Sequence, residues 1–135
     1  MARPRHENPT PAELEVLQVI WDRGPSTVRE VMKVLNRRRP RAYTSIMSLM
    51  TIMAEKSQLS QKPRGRAFVY SARVSRAKTQ SRMVRDLLSR VFDGSATTLV
   101  TQLLQQAKPD SEELDDIRKT IAEFAQKKGG PSCQS

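Results

Sequence analysis

Residues 42–56 read A-Y-T-S-I-M-S-L-M-T-I-M-A-E-K, and no other stretch restricts the fold so tightly. Ile46, Leu49, Met50 and Met53 recur at helical spacing and share one face of a helix. Thr44, Ser48 and Thr51 fall on the opposite face, with Glu55 as its only carboxylate at the far end. A solvated helix face ordinarily carries Lys, Glu or Arg. A face of short hydroxyls, entered through R-R-R-P-R at 37–41, suits close approach to a polyanion, with its first turns against base edges in a DNA major groove. An ordinary core-packed helix with a Ser/Thr-rich outer face has the same pattern, so this stretch leaves both readings open.

The flanking segments decide between them. Upstream, Thr10-Pro11-Ala12-Glu13 carries a capping box with proline at the first helical position. The stripe Leu14, Val16, Leu17, Ile20, Trp21 follows, and Gly24-Pro25 ends that helix. Trp21 is expected in the core. Ser26, Thr27 and Glu30 cap a second helix whose buried stripe is Val28, Val31, Met32 and Leu35, and Asn36, Arg37–Arg39 and Pro40 terminate it. Two helices joined by so short a connection, the second with a polar outer face, form a helix-turn-helix. After Lys56 the period changes. Leu59 opens an extended run, Lys62-Pro63-Arg64-Gly65-Arg66 reads as a turn, and Ala67-Phe68-Val69-Tyr70 is β-prone, with Phe68 and Tyr70 on one side. Three helices followed by a basic hairpin make a winged helix-turn-helix.

Charge points the same way. The chain of 135 residues carries a formal net charge of +10, with a sequence pI near 10.5, which implies a polyanionic partner. Residues 1–76 hold 15 Lys/Arg against 6 Asp/Glu, and residues 77–135 hold 9 against 8, so the basic work lies in the first half. Aromatics are only 4 %, too few for base stacking as the main binding mode.

Beyond the hairpin, Ser75 caps a helix to about Phe92 with Val84, Leu87, Leu88 and Val91 as its stripe. Asp93-Gly94-Ser95 stops it and caps the next, striped by Leu99, Val100, Leu103 and Leu104. After Lys108-Pro109-Asp110, Leu114, Ile117, Ile121 and Phe124 stripe a last helix. Three such helices are too small a layer to bury their stripes within one chain, and pairing with a second copy would bury them.

These segments resemble the penicillinase/methicillinase repressor (BlaI/MecI) family of bacterial winged-helix regulators. The resemblance is carried by T-P-A-E-L-E-V-L-Q-V-I-W at 10–21, G-P-S-T-V-R-E-V at 24–31, A-Y-T-S-I at 42–46, E-K at 55–56, G-R-A-F-V-Y-S at 65–71, F-D-G-S at 92–95 and L-V at 99–100. It implies a homodimeric repressor on an inverted-repeat operator of double-stranded DNA, dimerised through its C-terminal helices and relieved by a membrane sensor peptidase that cuts the C-terminal domain. The chain departs from the family pattern in several places. Ser57 replaces the usual glycine after E-K, which makes a left-handed helix cap less accessible. Ile52 stands where a basic residue is common, and Gln102-Leu103 stands where well-known members have the cleaved Asn-Phe. Copper-responsive relatives end in a paired C-x-C motif, whereas this chain has only Cys133.

The expected fold is mainly α with a small β wing. Residues 1–9 form a flexible basic arm, 10–73 a winged-helix DNA-binding domain, 74–126 a three-helix dimerisation region and 127–135 a disordered tail. Thr44, Ser45 and Ser48 are expected at base edges, with Met47 on a thymine methyl and Thr51 on the same surface. Arg41, Tyr43, Arg64, Arg66 and some of Arg37–Arg39 are expected on phosphates. Val84, Leu87, Leu88, Val91, Leu99, Leu103, Leu114, Ile117, Ile121 and Phe124 are expected at the dimer interface. The competing class is a non-specific, chromatin-like nucleic-acid binder using the same charge.

Other chemistry has little support in the sequence. One histidine, His6, and one cysteine, Cys133, cannot build a structural zinc site, a nucleophile–base pair or a disulfide. No glycine-rich phosphate loop is present. Asp110, Glu112, Glu113, Asp115 and Asp116 read as a helix N-terminus complementing its dipole rather than as a metal cluster. Neither an enzyme activity nor a cofactor is expected. No apolar run approaches the ~20 residues that span a bilayer, and the N-terminus lacks the apolar segment of a signal peptide, so a cytoplasmic protein without membrane insertion is expected.

Overall fold

Two reciprocal capping boxes set the first two helices. Thr10 accepts the Glu13 N–H at 3.2 Å while Glu13 accepts the Thr10 N–H at 3.0 Å, starting α1 (Pro11–Arg23). Thr27 and Glu30 repeat the exchange at 3.2 and 2.9 Å to start α2 (Val28–Leu35). Each cap contributes about 1 kcal/mol. Between them Gly24, at φ 93, closes α1 by donating to the Ile20 carbonyl. The computed structural model describes residues 8–128. Residues 1–7 of the expected arm and 129–135 of the expected tail, His6 and Cys133 among them, lie outside the described residues.

The remaining elements are α3 (Tyr43–Glu55), β1 (Leu59–Arg64), β2 (Ala67–Ala72), α4 (Arg76–Arg90), α5 (Ala96–Ala107) and α6 (Ser111–Lys128). This is a mainly helical chain with one two-stranded antiparallel sheet, in the order of a winged helix-turn-helix followed by three helices. It divides into two compact units between Asp86 and Leu87, within α4.

In the first unit α1, α2, α3 and the base of the hairpin enclose one core. Val16, Leu17, Val19 and Ile20 meet Val28, Val31 and Leu35, then Ile46, Met50, Met53, Leu59 and Tyr70. Each of these side chains contributes roughly 1.5–3 kcal/mol by leaving water. Trp21 packs against this core and donates its indole N–H to the Val74 carbonyl at 3.0 Å. Ser26 is fully buried and exchanges both backbone hydrogen bonds with Tyr70, at 3.0 and 2.8 Å. That isolated bridge ties the α1–α2 turn to the root of the hairpin. Thr79, early in α4, is also buried in this unit, which runs to Asp86.

The hairpin turn is tighter than expected. Strand β1 runs through Lys62, Pro63 and Arg64, and Arg64 pairs with Ala67. Only Gly65 and Arg66 remain as the connection, with Gly65 at φ 64. A glycine at the first position of a two-residue loop matches the twist of the strands it joins. Phe68 and Tyr70 share a side by register, yet Tyr70 is buried at the root and Phe68 is exposed further out.

The end of α3 also differs from expectation. Ser57 adopts φ 66, Gln58 donates to the Met53 carbonyl at 2.9 Å and Ser57 to that of Ala54 at 3.1 Å. Those two bonds are the Schellman pattern, formed here around a residue that bears a Cβ.

In the second unit Ser95 caps α5 by accepting the Thr98 N–H, and Asp110 caps α6 by accepting that of Glu113. No residue from 87 to 127 is buried in the single chain. Val91 and Phe124 are each 64 % exposed, Ile121 is 56 % and Leu103 is 54 %.

Candidate nucleic-acid interface

Helix α3 is divided lengthwise. Ile46, Met50 and Met53 are buried, and Leu49 is half-buried against the same core. Thr44, Ser45, Met47, Ser48, Thr51 and Ile52 are exposed, as is Tyr43 at the first turn. The α3 residues the sequence places on DNA are therefore all at the surface. Ala42 provides no side-chain cap, and its carbonyl accepts the Ser45 N–H at 3.1 Å and the Ile46 N–H at 3.2 Å to start α3 at its positive end. The Thr51 hydroxyl donates to the Met47 carbonyl at 2.8 Å, which leaves it an acceptor towards solvent.

The entry to α3 is stapled by Asn36, whose Oδ1 accepts the Arg41 N–H at 2.9 Å. Arg41, expected on a phosphate, is paired with a carboxylate of α1 in the free chain. Its side chain is only 13 % exposed, and its Nη2 lies 3.2 and 3.3 Å from the two Glu15 oxygens. At the other end, the Lys56 ammonium lies 2.8 Å from Glu13, a carboxylate 3 % exposed that also accepts from Gln58 at 3.2 Å. Burial pushes the Glu13 carboxyl up, but Lys56, the Thr10 N–H and the Gln58 amide outweigh it and hold it below the ordinary carboxylate value. Helix α1 thus grips the chain just before α3 and just after it.

The wing presents Arg64 and Arg66, both exposed, with Lys62 behind them. The Thr27 N–H, with the Arg23 and Arg64 guanidiniums nearby, holds the Glu30 carboxyl below its ordinary value. Arg29 and Lys33 on α2, and Arg37 in the turn just past its end, line a shallow groove with Met32 and Asn36, and all three are exposed. The Arg29 guanidinium sits over the Tyr43 ring, 5.3 Å from its centre. Neither Arg29 nor Lys33 is among the residues expected on DNA, although their spacing of four marks one basic face.

The residues expected at a dimer interface or a cleavage site belong to α4, α5 and α6, with Val91 just past the end of α4. Val84, Leu87, Val91, Leu103, Ile121 and Phe124 are exposed, while Leu88, Leu99, Leu114 and Ile117 are half-buried. Gln102 and Leu103 sit mid-helix in α5, both exposed. Among the described residues no group of three His, Cys, Asp or Glu could hold a metal ion, and no helix is long and apolar enough to cross a membrane.

Comparison with known proteins matches residues 9–123 to the Penicillinase repressor family. The penicillinase repressor of Bacillus licheniformis is 25 % identical over 117 residues, 87 % of this chain and 91 % of that one. The transcriptional regulator BlaI of Mycobacterium tuberculosis is 30 % identical over 114 residues, 83 % and 81 % of the respective chains. The solution structure of the DNA-binding domain of the repressor BlaI aligns with a TM-score of 0.47 at 29 % identity, over 53 % of this chain and 89 % of that one.

Proposed function

Because the chain belongs to the penicillinase repressor family, we propose that it is a transcriptional repressor that reads double-stranded operator DNA with the exposed face of α3. One observation supports this most: a helix buried on one side in the winged-helix core keeps Thr44, Ser45, Met47, Ser48 and Thr51 free on the other. Short hydroxyls reach base edges and the Met47 thioether meets thymine methyls. Tyr43, Arg64 and Arg66 take phosphates, joined by Arg29 and Lys33 on α2, the helix that crosses the backbone, and by Arg37 just past its end.

The apolar stripes of α4, α5 and α6 are the surface on which two copies pair, and a two-fold dimer requires half-sites about 10 base pairs apart or a multiple. Repression ends in this reading when a membrane sensor peptidase cuts Gln102-Leu103 and detaches α6. Such a cut requires local opening of α5, since a peptidase holds its substrate extended. Following the chain's mass under cell-wall stress tests this: a fragment ending at Gln102 supports cleavage, and derepression with an intact 15.3 kDa chain removes it.

The repressor reading is tested by gel shift on the chain's own upstream region. Excess unrelated duplex should compete poorly. Equal competition by both would favour the non-specific, chromatin-like alternative.

A further inference from the structure

Two of the cations that border α3 are held by carboxylates of α1. Arg41 lies immediately before the N-cap and Lys56 is the C-cap, and each is paired with a glutamate of α1. We propose that Glu15 and Glu13 are specificity determinants: they withhold Arg41 and Lys56 from the DNA backbone, so that base contacts by α3 make up a larger share of the binding energy. This deepens the reading above and rests on it.

A cation on a phosphate adds the same affinity to every sequence and so lowers the ratio of operator to bulk DNA binding. Arg29, Lys33, Arg37, Arg64 and Arg66 already supply exposed charge around α3. Further cations at both of its ends would tighten every duplex alike. Glu15 engages one Arg41 nitrogen through both of its oxygens, while Arg39, at 4.0 Å and largely exposed, is barely held. The Arg41 Nε is buried without an acceptor, an unfavourable placement that the pair with Glu15 offsets. Removing the Glu15 charge therefore frees the guanidinium to swing out. Lys56 is held by a carboxylate that stays ionised under its own hydrogen bonds. Gln58, also on that carboxylate, opens the connection to β1, so the same contact sets where the wing begins.

The test uses the full chain, with Glu15→Gln, Arg41→Gln and the double variant. Fluorescence anisotropy is read on a duplex from the chain's own upstream region and on an unrelated duplex of equal length, between about 50 and 200 mM salt. Glu15→Gln should bind the unrelated duplex roughly 3- to 10-fold tighter, with a salt slope steeper by about 0.9, the signature of one added phosphate contact. The upstream duplex should gain less, so the preference ratio falls. Arg41→Gln should leave the slope unchanged, and in the double variant the Glu15→Gln gain should be absent. Two results would overturn the proposal. One is Arg41→Gln lowering the slope by a full contact, because Arg41 would then touch DNA while paired. The other is Glu15→Gln weakening both duplexes alike at constant slope, because Glu15 would then act through packing alone. A wild-type chain that binds both duplexes equally would instead remove the repressor reading on which this one stands.

Discussion

The Nζ of Lys56 lies 2.8 Å from Oε2 of Glu13, joining the last turn of α3 to the first turn of α1. Residues forty-three positions apart thereby fix where α3 ends relative to the helix behind it.

That pair makes stability depend on acid. The Glu13 carboxyl is held below its ordinary value in the folded chain, so its contribution is complete above the unfolded carboxylate value, about 4.3. The contribution is lost as pH falls through the folded value. Urea midpoints should drop between pH 5 and pH 3, and Glu13→Gln, which preserves the capping box, should flatten that dependence. At neutral pH the same substitution should cost about 1–3 kcal/mol, because it leaves Lys56 without its counter-ion. An unchanged acid slope in Glu13→Gln would place the sensitivity elsewhere, with Glu30 the next group to examine.

Ser57 holds a left-handed conformation at φ 66 in the cap of α3, where a side chain crowds the following carbonyl. Ser57→Gly should therefore stabilise the winged-helix unit by about 1 kcal/mol, offset in part by the entropy glycine adds to the unfolded chain. Thermal unfolding should show a rise in midpoint without a change in DNA preference. A fall in midpoint would mean that the serine hydroxyl supplies a compensating contact.

Pairing of two copies should require residues beyond the first compact unit. A chain truncated after Asp86 keeps Thr79, the Trp21 contact to Val74 and the whole core, so it should fold and sediment as a monomer. The full chain should sediment as a dimer. The truncated form should also bind DNA more weakly, because two linked modules raise each other's effective concentration. A truncated dimer would move the interface into the winged helix.

The local features were legible in the sequence. Thr10 and Thr27 appear as caps because a capping box is a pattern of four residues, and α3 shows its two faces because helical period is local. What was not legible depends on distant partners. Glu13 reads as a cap, and nothing nearby announces its burial with Lys56 and Gln58. Ser26 reads as part of a cap, yet it pairs with Tyr70 across the fold. Arg41 reads as a free cation because Glu15 is twenty-six positions away. The hairpin turn was placed too wide because Lys62 and Pro63 resemble turn residues, whereas pairing with Val69 and Phe68 keeps them in β1.

If the exposed face of α3 reads bases while the wing holds the backbone, Ser48→Ala and Arg64→Ala should have opposite signatures. Both positions are exposed, so neither change should disturb the fold. Binding is selected from a randomised duplex pool and followed by salt titration on the preferred site. Ser48→Ala should change base preference at one position per half-site and leave the salt slope intact. Arg64→Ala should weaken all sequences alike and lower the slope by about 0.9. Unchanged base preference in Ser48→Ala, together with a shifted preference in Arg64→Ala, would contradict the account.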